Sequence, residues 1–125
     1  MKGAFDKLKA HISVRWSKAP QFIFCDNYTD KCRQQVTHLK TKIVYIDNEA
    51  KLNSINIDGG NTTSGIFFLH HDFARGIDLK LAKNADVTIF CNNTDCKLNT
   101  TIACQMAGRG TRDQSNPVAT IIWAN

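Results

Sequence analysis

Gln21-Phe22-Ile23-Phe24-Cys25 is a short run with no charge and three large apolar side chains in a row. A strand half-exposed to water alternates apolar and polar residues. A run that is apolar at successive positions must bury both of its faces. Three more runs have the same character: Ile43-Val44-Tyr45-Ile46, Ile66-Phe67-Phe68-Leu69 and Val87-Thr88-Ile89-Phe90. Residues 118–123 read as a fifth strand. Between the runs lie segments with helical patterning or long connections. Continuous apolar strands separated in this way predict a parallel sheet covered on both sides.

The helical patterning is local and specific. Phe5, Leu8, Ile12 and Trp16 recur at helical spacing, with Lys2, Lys7 and Lys9 largely off that stripe, so residues 3–17 read as an amphipathic helix. Pro20 marks its end. A second helix is expected over residues 30–40, with Cys32, Val36 and Leu39 inward and Asn27 or Thr29 as its cap. A short third covers 48–56, and a further one 98–107. The fold expectation is one α/β domain with a mostly parallel sheet of about five strands flanked by helices.

The chain has 125 residues, room for one core. No apolar stretch approaches the roughly 18 residues of a membrane span. The first 20 residues carry lysine and arginine throughout, which argues against a signal peptide. The net charge of +5 suits a polyanionic partner. Five cysteines, an odd number, and the lack of an export signal favour a reduced chain in an intracellular setting, cytoplasmic or nuclear. Their spacings miss the two-residue gap of zinc knuckles, and no metal site is expected. Adjacent His70 and His71 would point to opposite faces and could not easily share an ion.

In parallel sheets, ligands lie beyond the carboxyl ends of the strands. Two polar segments follow such ends. Phe73-Ala74-Arg75-Gly76-Ile77-Asp78 follows the third strand. Gln105-Met106-Ala107-Gly108-Arg109-Gly110-Thr111-Arg112 follows the fourth helix. Arginines three apart share one side of a helical turn, and a guanidinium grips phosphate bidentately.

These two segments resemble motifs V and VI of the second RecA-like lobe of superfamily 2 helicases and translocases. The first is similar to A-R-G-I-D, the second to Q-x-x-G-R-x-x-R, and Gln21–Asn27 resembles the motif IV strand that opens the lobe. The Thr usual in the motif V turn has no counterpart in Leu69-His70-His71-Asp72. The resemblance spans residues 20–123 and implies a helix over 1–19 packed on a lobe formed by 20–125.

It also implies roles. Arg109 and Arg112 would be catalytic arginine fingers reaching a γ-phosphate. Gly76, Asp78, Gln105 and Gly108 would serve the nucleotide, and Ala74 and Arg75 would touch nucleic acid. ATP and Mg2+ would be shared with a first lobe that this chain lacks. No glycine is followed by lysine, so there is no phosphate-cradling G-x-x-x-x-G-K-[ST]. Asp47 and Glu49, after the second strand, imitate a Walker B pair but read as strand-end and helix-start residues. The expected activity is the C-terminal half of an ATP-dependent helicase or translocase, inactive without its P-loop lobe. The other reading is a non-catalytic module of helicase-like fold, or a gene fragment, that binds nucleic acid or protein.

Overall fold

The computed structural model describes residues 3–25, 30–58, 64–70, 85–91 and 119–123. In chain order these form α1 (Ala4–Arg15), β1 (Gln21–Cys25), α2 (Asp30–Gln34), β2 (Ile43–Ile46), α3 (Glu49–Asp58), β3 (Ile66–His70), β4 (Asp86–Cys91) and β5 (Ala119–Trp123). The strands make one five-stranded sheet in the order β2-β3-β1-β4-β5, and every neighbouring pair is parallel. The expected α/β class and parallel sheet are therefore observed.

β1 takes the centre, between β3 and β4. All five of its residues are buried, as an apolar run with no polar alternation requires. One face of the sheet carries Ile23, Cys25, Ile66, Phe68, Phe90 and Ile122. Leu8 and Ile12 from α1, with Cys32 and Val36 from the α2 region, close over it. Phe5 meets Phe90 edge-on at 5.4 Å between ring centres. Side chains alternate along a strand, so Phe22 and Phe67 point to the other face, where their rings stack at 4.9 Å.

Connectivity accounts for this division. From β1 the chain moves two places outward to β2, then reverses towards β3, β4 and β5. Right-handed crossovers put connections that run in opposite directions on opposite faces. Thus α2 shares a face with α1, while Leu52 of α3 is buried outside their cluster.

The second helix is shorter than its apolar spacing suggests. After Gln34 the chain tightens into three-residue turns, with Val36 N–H donating to Arg33 O (3.0 Å) and Leu39 N–H to Val36 O (3.0 Å). Val36, Thr37 and His38 are weak helix formers, and the tighter turn still brings Val36 inward. The expected helix over 98–107 lies outside the described residues.

Candidate functional site

The carboxyl edge of the sheet is formed by the ends of β2, β3, β1 and β4: Ile46, His70, Cys25 and Cys91. It contains the place where chain direction reverses. The connection leaving β1 runs towards β2, while those leaving β3 and β4 run the other way. Connections that diverge from neighbouring strands open a crevice beyond their ends, the usual ligand position in such sheets.

Side chains at this edge are tied down. The Cys25 thiol donates to Leu69 O at 3.5 Å, bracing β1 against β3. Burial, then neighbouring Cys25 and Asp47, pushes the Tyr45 hydroxyl above its ordinary pKa. Asn48 Oδ1 accepts the Lys51 N–H at 2.9 Å at the start of α3. Lys51 Nζ lies 3.1 Å from Asp47 and donates to Tyr45 O at 3.3 Å. Asp47 directly follows β2 and pairs with a lysine, and Glu49 opens α3.

The segments expected to carry chemistry leave this edge. Ala74, Arg75, Gly76 and Asp78 belong to the stretch that follows His70. Gln105, Gly108, Arg109 and Arg112 belong to the stretch between β4 and β5. All eight, with His71, lie outside the described residues. Among the described residues, no group of three His, Cys, Asp or Glu side chains could hold a metal ion. Cys91 is disulfide-bonded, its partner outside the described residues, which corrects the expectation of a wholly reduced chain. An odd cysteine count excludes complete pairing but not a single bridge.

Sequence reasoning missed a polar cluster at the opposite edge. Arg15, at the end of α1, grips Asp86, the first residue of β4, through Nε (2.7 Å) and Nη2 (3.1 Å). Gln21 Nε2 donates to the same carboxylate (2.9 Å) and to Ala19 O (2.9 Å). Burial pushes the Asp86 carboxyl upward, but hydrogen bonds from Arg15 and Gln21, with the charge of Arg15, outweigh it and hold its pKa below the ordinary value. Half-buried His11 has its pKa lowered, chiefly by desolvation, with Asp86 opposing and Arg15 assisting. Backbone bonds continue this edge: Asp86 N–H to Pro20 O, Gln21 N–H to Gly65 O and Ile66 N–H to Lys42 O. The cluster fastens α1 to the strand starts, remote from the ligand edge.

No family model and no curated protein matches the chain. Among solved structures it is similar to a crystal structure of the C-terminal part of the Fun30 ATPase domain. The TM-score is 0.67 at 23% identity, over 97% of this chain and 40% of that one. The fold is that of a RecA-like lobe. The lobe spans two fifths of the length of the structure it resembles. No helix among its described residues is long and apolar enough to cross a membrane.

Proposed function

We propose that the chain is the C-terminal lobe of an ATP-dependent nucleic-acid helicase or translocase. The observation that carries this reading is the parallel five-stranded sheet, whose likeness to the C-terminal part of an ATPase domain extends over 97% of the chain. The order of the two motif-like segments supports it, since both follow strands that end on the ligand edge. In this reading Arg109 and Arg112 supply positive charge to the γ-phosphate. Gly76, Asp78, Gln105 and Gly108 serve the nucleotide, and Ala74 with Arg75 meets the nucleic-acid backbone. The P-loop, and with it the principal hold on ATP and Mg2+, belongs to a first lobe in the same or another chain. An intracellular setting, cytoplasmic or nuclear, belongs to the same reading.

Phosphoryl transfer spreads charge over the transferred group, and an arginine finger stabilises it by about 10³–10⁵ in rate. In the complete two-lobed assembly, Arg109→Ala or Arg112→Ala is expected to lower ATP turnover by a factor in that range. The circular dichroism spectrum should be unchanged. Wild-type turnover by either variant removes the assignment.

The alternative is a non-catalytic nucleic-acid or protein binding module, or a gene fragment, of the same fold; the lack of any glycine before a lysine is common to both readings. The coding sequence upstream of Met1 separates the two. An in-frame P-loop favours the enzyme, and a stop codon with no such partner favours the module.

A further inference from the structure

Gln21 opens β1, and Thr88 stands third in β4. Neither has any exposed surface. Among the described residues, two buried side-chain oxygens take part in no hydrogen bond, and they belong to this pair: Gln21 Oε1 and Thr88 Oγ1. Protein interiors seldom leave such atoms without a partner, because each has given up its hydration for nothing in return.

Strand register puts the two on one face. Gln21 pairs with Asp86, and Ile23 with Thr88. Side chains two apart on a strand share a face. Gln21 and Thr88 therefore lie on the face of Ile23 and Phe90, the one that α1 covers. Phe5 meets Phe90 and Arg15 meets Asp86, so α1 runs antiparallel to β4 and passes over Thr88 between those contacts. Thr120 of β5 registers with Thr88, which places another hydroxyl on the same face.

The Gln21 amide has one orientation. Its Nε2 donates to Ala19 O (2.9 Å), Asp86 Oδ2 (2.9 Å) and Arg15 O (3.2 Å). A flipped amide would set Oε1 against three acceptors. Oε1 is thus turned away from that cluster. Positions one strand across and two residues along are about 8 Å apart at Cα, from a strand spacing of about 4.8 Å and a rise of about 3.3 Å per residue. One water between two oxygens spans about 5.6 Å, two bonds of about 2.8 Å. The reach of the Gln21 side chain closes the difference. Oε1 needs a donor, and the Thr88 hydroxyl can donate or accept. Neither side chain is charged, so the pair suits a neutral partner, and complete burial restricts that partner to the size of water.

We propose that Gln21 Oε1 and Thr88 Oγ1 form an interior water site beneath α1, in which a single water bridges β1 to β4. The water supplies the amide oxygen and the hydroxyl with the partner that the sheet does not.

The test is a high-resolution crystal structure of the full chain, with urea unfolding of Thr88 variants. One ordered water is expected within about 3.0 Å of both oxygens. Thr88→Val keeps the shape of the side chain and removes its hydroxyl. It should lose that water and raise the unfolding constant about twofold to tenfold, the net worth of one hydrogen bond. Thr88→Ser keeps the hydroxyl and should keep the water. The proposal is overturned if the wild-type site is dry, or if the Thr88 hydroxyl bonds Gln21 Oε1 or a backbone carbonyl directly. It is equally overturned if Thr88→Val matches or exceeds wild-type stability, since deleting a hydroxyl that truly has no partner relieves a cost. The wild-type structure decides the question even if neither variant folds.

Discussion

At the scale of single residues, Asp86 carries the clearest electrostatic consequence. Its folded carboxyl has a lowered pKa, so the native state releases that proton more readily than the unfolded chain. Stability from the Arg15–Asp86–Gln21 cluster is complete above the unfolded value of about 3.9 and is lost as pH falls through the folded one. Asp86→Asn should therefore lower the urea midpoint at neutral pH, and the gap from wild type should shrink below about pH 4. A gap that stays constant from neutral pH to acid would show that packing, not charge, holds α1 here. None of this was legible beforehand. Arg15 and Asp86 are 71 positions apart, and neither stands out by pattern. The residues expected to do chemistry were marked by local spacing alone, which names side chains without placing them.

At the scale of elements, the apolar runs of β1, β3 and β4 were legible because these strands are buried on both faces, while the edge strand β2 is only partly buried. β1 and β2 begin and end where their runs do. β3 and β4 extend slightly further, to His70, Asp86 and Cys91, because backbone pairing does not stop where hydrophobicity stops. The length of α2 was not legible, since apolar spacing of three or four suits an α-turn and a tighter turn alike. Gly65 also escaped notice, although a glycine directly before an apolar run is a signal. Its φ of 122° lies where L side chains are strained, and a Cβ there would come within 3.0 Å of the Phe67 ring. Its carbonyl also accepts the Gln21 N–H at the head of β1. Gly65→Ala should cost about 1–3 kcal/mol in urea unfolding. Wild-type stability in that variant would mean that the start of β3 can relax without disturbing β1.

At the scale of the whole molecule, strand order is the property that periodicity could not supply. Apolar runs say that strands are interior, not which strands are neighbours. The observed order separates β1 from β2 by β3. A fragment of residues 1–65 therefore contains two strands that do not pair with each other. It should show no sheet signal by far-ultraviolet circular dichroism and no cooperative urea transition. A cooperative transition in that fragment would mean that α1 and α2 make a core without the sheet. This has a meaning for the chain as it leaves the ribosome. The central strand is made first, and its neighbours follow more than 40 residues later. Until then Phe22, Ile23 and Phe24 have no strand to pair with. Synthesis of residues 26–65 thus leaves the most apolar segment of the eventual centre exposed, a window in which a chaperone, or another nascent copy, could reach β1 before β3 does.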